Sequence, residues 1–231
     1  MEKKLAFTGA LALILLTSSL ARAQEPAAAG SAQSRAVESI NQLKAGTLLV
    51  RLPSQQAKID AMQQVMASSN TSEAARDRLK SQIETTITNQ RVFNLNMVQA
   101  FQEAYDFSKA LFFYDTNTSR LKSGDQSGIF LDNNLEADPS IRPGDGPFFI
   151  LHFGSTSSET SDGVEAMIIL DSQFERLEKP FPFYQRLNDF SAFIGSFLPK
   201  PNQKTEDALR IVGKLNKKLH TYFQQAQAGK G

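Results

Sequence analysis

Residues Thr47–Leu52 read TLLVRL, and this segment decides the fold. A short run of apolar and β-branched residues is typical of a strand, and Pro53 ends it. Upstream, apolar residues recur at helical spacing and stop at a glycine, which predicts a short helix. These residues are Val37, Ile40, Leu43 and Gly46. The folded part of the chain therefore begins with a helix that leads directly into a strand.

Apolar residues at helical spacing predict further helices on the other side of the strand. The first follows Ser54, which can cap it, and carries Ile59, Met62 and Val65 on one face. The next has the strongest pattern in the chain and is one long helix, or two with a break near Thr88. Its apolar positions are Leu79, Ile83, Ile87, Phe93, Met97, Phe101 and Ala104, with Asn70 and Glu73 spaced as a capping box.

A last helix is predicted near the C terminus. Thr205 is its expected cap, and Glu206 and Asp207 in the first turn suit the positive end of the helix dipole. Its expected buried stripe consists of Leu209, Val212, Leu215, Leu219 and Phe223.

Between these helices the period changes to short β-prone runs separated by Gly, Asp, Asn and Ser. These runs cover residues 110–114, 128–131, 147–153 and 164–170. Their connections are too short for helical crossovers, so neighbouring strands are expected to be antiparallel. The sequence therefore predicts one α+β domain over residues 35–225. Its central, mainly antiparallel sheet of about five strands packs with long amphipathic helices, including a C-terminal helix.

The two ends of the chain are predicted to lie outside this domain. Residues 1–23 have a basic start, an apolar core and a small-x-small ending, which is the pattern of a signal peptide cleaved between Ala23 and Gln24. Residues 24–34 are expected to be a flexible leader and residues 226–231 a flexible tail. The apolar core is too short to span a bilayer, so we expect a soluble periplasmic or secreted protein with no stable membrane span.

Composition excludes several classes of protein. The chain has no Cys, which excludes disulfides, thiolate metal sites and Cys nucleophiles. Cleavage would leave 208 residues, enough for a single core, with 22 basic and 23 acidic side chains. Such a charge balance gives no field for polyanions, so nucleic acid is not an expected partner.

Three residues are candidate ligand-binding groups: Arg51, Asp115 and His152. Arg51 interrupts an apolar strand, and either its face is solvent-exposed or its guanidinium is buried and needs a partner, which is an internal carboxylate such as Asp115 or a carboxylate or phosphate ligand. His152 lies in an apolar strand, where it is a general base or a partly buried hydrogen-bonding group. His220, on the last helix, is a weaker catalytic candidate. Two distant His residues make a poor zinc site, and no metal is predicted.

Acidic residues at strand ends are expected to form turns. Asp115, Asp132 and Asp171 each follow a strand, and Asp readily bonds its own downstream backbone. Residues 129–136 are echoed by residues 168–175, each as a strand, an Asp-led turn and an apolar residue folding back. Asp132, Asn134 and Glu136 alternate as in a calcium loop, but the required Gly and final Glu are missing.

The remaining polar and aromatic segments carry no recognisable chemistry. The loops at residues 133–146 and 154–163 could form a ligand rim, but neither has a phosphate-loop or dinucleotide spacing, so no cofactor is predicted. The aromatic segment around Phe181, Phe183 and Tyr184, with Phe190, Phe193 and Phe197, is a core-covering lid or an exposed partner-binding patch.

Several strings, taken in order, resemble an uncharacterised family of exported bacterial proteins with no assigned activity. This resemblance implies location and a single-domain layout, and it supplies no catalytic residues. The strings are residues 46–52, 110–114, 135–140, 152–156, 178–182 and 214–220.

The sequence therefore favours an exported, non-catalytic binding or envelope-associated protein whose ligand or protein partner is unknown. One alternative is a hydrolase-like enzyme that uses Asp and His152 in a cleft between sheet and loops. The other is a protein-protein adaptor that uses the aromatic segment.

Overall fold

The computed structural model describes residues 29–157, 163–187 and 201–229. The predicted signal peptide with its cleavage site, and the apolar helix expected around residues 190–197, lie outside the described residues. No helix in the described part of the chain has the length and apolar character needed to cross a bilayer.

The described residues form an α+β fold, as the sequence predicts. The helices are α1 (Ala29–Ala45), α2 (Gln56–Ala67), α3 (Glu73–Ala104), α4 (Thr118–Lys122) and α5 (Pro201–Ala228), with a 3-10 turn at Asp115–Asn117. The strands are β1 (Thr47–Leu52), β2 (Lys109–Tyr114), β3 (Phe130–Leu131), β4 (Phe148–Ser155), β5 (Glu165–Leu170) and β6 (Tyr184–Arg186).

These strands form one mixed sheet of six strands in the order β3-β2-β1-β4-β5-β6. The three outer pairs are antiparallel, in line with the expectation for short connections. The central pairs, β1 with β2 and β1 with β4, are parallel. The long crossover through α2 and α3 returns the chain to the edge at which β1 began, which makes β2 parallel to β1. Strand β3 then runs back towards that edge, so β4 also starts there and is parallel to β1.

Side chains alternate between two cores on the two faces of the sheet. One face packs on α1, α3 and α5, and the other is covered by α4 and the segment before β3. The helical core includes Ile40, Leu43, Leu48, Val50, Leu52, Phe93, Met97, Phe101, Leu151, Val212, Leu215 and Leu219. The second core includes Leu49, Phe113, Leu121, Ile129, Phe130, Ile150 and Ile168.

Several boundaries differ from the sequence-based expectations. Helix α1 begins at Ala29, inside the predicted leader, as an extension of the helix whose Ala36, Ile40 and Leu43 are buried in the core. Helix α3 is continuous, and Ser72 caps it by accepting a hydrogen bond from the Ala75 amide at 3.3 Å, in place of the predicted Asn70 box. Helix α5 begins at Pro201 and runs to Ala228, so Thr205 lies inside it and is no cap. Pro suits the first helical position because its missing amide would be unpaired there.

The junction between α1 and β1 requires a glycine. A Cβ atom on Gly46 would lie 2.1 Å from the carbonyl oxygen of Pro147 and 2.8 Å from that of Gln42. The same Pro147 oxygen accepts the Thr47 amide at 3.0 Å, so this contact sets the register with which β1 enters the sheet. The backbone just before β4 therefore approaches the junction too closely for any side chain at position 46.

Replacing Gly46 by Ala is expected to destabilise the protein by about 1–3 kcal/mol, because backbone atoms must move to admit the methyl group. Gly213→Ala is the matched control, since Gly213 lies within α5 and a Cβ atom there would meet none of the described atoms within 4 Å. That change should stabilise the protein by about 0.5–1 kcal/mol. Urea unfolding measures both, and equal effects of the two substitutions would contradict the account of the junction.

Candidate functional site

The carboxyl ends of the parallel strands meet at one edge of the sheet. From β1 the chain crosses over to β2 on one side, and β4 lies on the other side of β1. In open sheets with parallel strands, ligands bind outside the carboxyl ends at the point where connections diverge in this way. In this fold that point lies between β1 and β4.

Arg51 and His152 occupy this point side by side. They are register partners in the parallel pair of β1 and β4, on strands about 4.8 Å apart. Strand alternation places both on the face of the second core, beyond Leu49 and Ile150. Both side chains are half-buried. The fold thus brings together two of the three predicted ligand-binding residues.

The environment of His152 favours a neutral imidazole. Burial lowers the pKa of His152 below its usual 6.5, and the nearby positive charges of Arg51 and Arg176 lower it further. Gly154 makes room for the ring, because a Cβ there would lie 3.1 Å from His152 Cε1. At neutral pH, His152 therefore adds no charge, and its ring also makes a hydrogen bond with the backbone of Phe153, which acts on the pKa in the opposite direction.

Arg51 has no carboxylate partner among the residues that the structure describes. The predicted internal pairing with Asp115 does not form. Asp115 begins the turn after β2, and its Oδ1 accepts the backbone amide of Ser54 at 3.1 Å. This bond ties together the loops after β1 and β2, so Asp115 shapes the edge beside Arg51 and forms no ion pair with its guanidinium.

Arg176 adds a fixed positive charge near the same edge. Its Nη1 donates to the carbonyl of Thr156 at 2.7 Å, and its Nη2 lies 3.3 Å from the carbonyl of Ser155. These bonds hold the chain that continues from β4. Arg176 is therefore a support of the strand end, while Arg51 keeps its donors available.

The other candidate Asp residues form the expected turns at the opposite edge. Asp132 Oδ1 accepts the amides of Asn134 and Glu136, both at 2.8 Å. Asp171 Oδ1 accepts those of Gln173 at 2.9 Å and Glu175 at 2.8 Å. The sequence echo is thus a repeated turn, and in each copy one apolar residue has a positive φ: Leu135 (68°) and Phe174 (66°).

His220 has a structural role. Its Nε2 lies 2.7 Å from Asp106 Oδ1, and Asn216 Nδ2 donates to the same oxygen at 2.8 Å. Hydrogen bonds with Asn216 and His220 lower the pKa of Asp106, and the bond with Asn216 has the larger effect. The ring of His220 also packs edge-on against Phe107. This cluster fastens α5 to the loop before β2.

The aromatic segment belongs largely to the core. Phe181 is 2% exposed, and its ring packs edge-on against Tyr222. Phe183 and Tyr184 are half-buried and contact one another. These three residues therefore serve as a cover of the core, one of the two functions that the sequence left open. Phe190, Phe193 and Phe197 lie outside the described residues.

Sequence reasoning missed a second cluster, here called the basic cleft. It lies between β6 and α5, has a volume of about 260 Å³, and is lined by Tyr184, Arg186, Arg210, Lys214 and Lys218. The signal was present in the sequence. Arg210, Lys214 and Lys218 recur at a spacing of four, which places three cations on one face of a helix.

Comparisons with known proteins supply no relative. No family model, no curated protein and no solved structure matches the chain. Within residues 29–157, 163–187 and 201–229, no group of three or more His, Asp or Glu side chains could hold a metal ion.

The lowered pKa of His152 predicts acid sensitivity. The unfolded chain binds a proton at His152 near pH 6.5, whereas the folded chain does so only at lower pH, so stability falls as the pH drops below about 6.5. We expect the melting temperature of His152→Asn to fall less than that of the wild type between about pH 7.5 and pH 5.

His220→Asn is the matched control, because it removes the other imidazole of the chain. The part of the acid-induced fall in melting temperature that is due to His152 should persist in this variant. Identical pH profiles of the wild type and His152→Asn would show that folding does not depress the pKa of His152.

Proposed function

We propose that the protein is an exported, non-catalytic binding protein that holds a small carboxylate ligand between Arg51 and His152. The observation that carries this proposal is a half-buried guanidinium without a carboxylate partner among the described residues, beside a neutral imidazole, at the diverging point of the sheet. A guanidinium that is partly withdrawn from water gains strongly from an anionic partner.

Charge matching favours a carboxylate at this site. Arg51 contributes one unpaired positive charge and His152 contributes none at neutral pH. The planar guanidinium forms two parallel hydrogen bonds to a carboxylate, and the neutral imidazole lies beside it on the neighbouring strand. A ligand with one negative charge would therefore neutralise the guanidinium of Arg51.

Binding is better supported than hydrolysis. A His that acts as a general base needs a hydroxyl or water nucleophile and usually an acidic group that orients the ring. Among the described residues, the predicted carboxylate, Asp115, is engaged by the Ser54 amide instead. The neighbours of His152 on the adjacent strands are Arg51 and Ile168.

Residues 1–23 support the exported location through their signal-peptide pattern. The absence of cysteine from the chain is compatible with an oxidising compartment. The ligand is therefore expected to be a metabolite or a glycan acid of the cell envelope or its surroundings.

A panel of mono- and dicarboxylates and sugar acids tests the proposal, first by thermal shift and then by calorimetric titration. A ligand should raise the melting temperature through mass action. Arg51→Gln should weaken its binding about tenfold or more, since a charged hydrogen bond contributes about 1.5–3 kcal/mol. Arg51→Lys should give an intermediate loss, because it keeps the charge and loses the paired donors.

Arg78→Gln is the matched control, because Arg78 is exposed on α3, away from the sheet edge. It should bind as the wild type does. Unchanged binding by Arg51→Gln, or no thermal shift with any carboxylate in the panel, would contradict the proposed function.

A further inference from the structure

The basic cleft adjoins a larger, shallower hollow along α5. The hollow has a volume of about 590 Å³, and its lining shares Gln185, Lys214 and Lys218 with the cleft. Pro182 and Tyr222 add apolar and aromatic surface to its wall. The two cavities therefore form one continuous surface, cationic at one end and more apolar at the other.

Among the described residues, the cleft has more cationic side chains than carboxylates that pair with them. Arg210 pairs with Asp207 at 2.7 Å. Arg186, Lys214 and Lys218 have no carboxylate within 4 Å among the described residues. A multiply charged anion placed between these three side chains would offset their mutual repulsion.

Lys218 contacts the backbone and the ring of Tyr184. Its Nζ donates to the Tyr184 carbonyl at 3.3 Å and lies 5.6 Å from the centre of the Tyr184 ring. Burial, together with the charges of Arg186 and Lys214, lowers the pKa of Lys218. The ammonium group therefore lies against the Tyr184 carbonyl in the lining of the cleft, with part of its hydration replaced by protein.

Two residues that line the adjoining hollow have buried polar atoms without hydrogen-bond partners among the described residues. Gln185 is 7% exposed, and its Oε1 has no hydrogen-bond partner among the described residues. The Tyr222 hydroxyl is also buried without a partner there. Buried polar atoms without partners are costly and rare, and both lie in residues that line the hollow. A hydroxyl-bearing ligand could supply the missing hydrogen bonds after a small side-chain adjustment.

We propose that the basic cleft binds a phosphate ester, with the phosphate between Arg186, Lys214 and Lys218 and its hydroxylated organic part in the adjoining hollow. A phosphate monoester carries up to two negative charges at neutral pH and presents three acceptor oxygens, which matches a site with three cations. The cleft is built from β6 and α5, whereas Arg51 and His152 lie on β1 and β4. This inference therefore does not depend on the proposed carboxylate site.

Calorimetric titration of the purified protein with glycerol phosphate, inorganic phosphate and glycerol tests the inference. Glycerol phosphate should bind saturably and glycerol should not. The double variant Lys214→Gln/Lys218→Gln should bind glycerol phosphate about tenfold or more weakly, since two charged contacts are lost. Tyr222→Phe should weaken glycerol phosphate about threefold and leave inorganic phosphate unchanged.

The double variant Lys58→Gln/Lys80→Gln is the matched control. It removes the same charge from exposed positions on α2 and α3, so binding should stay within about twofold of the wild type. Arg51→Gln should likewise leave glycerol phosphate binding unchanged, which separates this site from the proposed function. If the double cleft variant unfolds, Lys214→Gln alone should still weaken binding, since that side chain lies at the surface.

Vesicles of phosphatidic acid and of phosphatidylcholine distinguish the source of the phosphate. Binding to phosphatidic acid that the double cleft variant loses would identify a lipid headgroup, and binding of glycerol phosphate alone would identify a free ester. Failure of both probes to bind, or equal binding by the wild type and the double cleft variant, would overturn the inference.

Discussion

Burial of β1 on both faces is the constraint on which the rest of the structure depends. Leu48, Leu49, Val50 and Leu52 are all fully buried, and a parallel strand pairs with each edge of β1. Parallel strands at the centre of a sheet need cover on both faces. Burying one such side chain contributes about 1.5–3 kcal/mol to the stability of the folded chain. The side chains of β1 are therefore stabilised by the helical layer on one face of the sheet and by the second core on the other face.

The position of Arg51 follows from this constraint. It is the charged residue in a strand that is otherwise apolar, and it comes one residue before the strand ends. At that position its guanidinium can leave the second core at the carboxyl edge of the sheet. His152 reaches the same edge from β4 because the parallel register places it directly opposite. Arg51 and His152 are therefore neighbours because of the register between β1 and β4.

The sequence predicted those parts of the fold that local patterns determine. Helical spacing located α1, α2, α3 and α5, and β-prone runs located β1 to β5. Strand β6 was missed because its three residues, Tyr184–Arg186, have no alternating pattern and follow two prolines. The parallel pairing at the centre was not evident, because it depends on where a crossover of two helices returns the chain.

Site residues were predictable only one at a time. Arg51 and His152 stood out as polar residues in apolar strands, but their adjacency depends on a register between segments far apart in sequence. The sequence suggested Asp115 as a partner for Arg51, but the two form no ion pair, and Asp115 Oδ1 accepts the amide of Ser54. The basic cleft is formed by residues of both β6 and α5. Only its α5 residues could be recognised in the sequence, because Arg210, Lys214 and Lys218 follow one another at intervals of four residues.

The packing of α5 has a consequence for how the chain acquires its structure. Its buried residues, including Ala208, Val212, Leu215 and Leu219, complete the same core as α1 and α3. Gln227 near its end donates to Asn41 of α1 at 2.6 Å. A polypeptide that emerges from its N terminus cannot close this layer until its last helix has emerged. The apolar faces of α1 and α3 thus stay uncovered through most of synthesis, so the chain depends on protection from aggregation until its last helix has emerged.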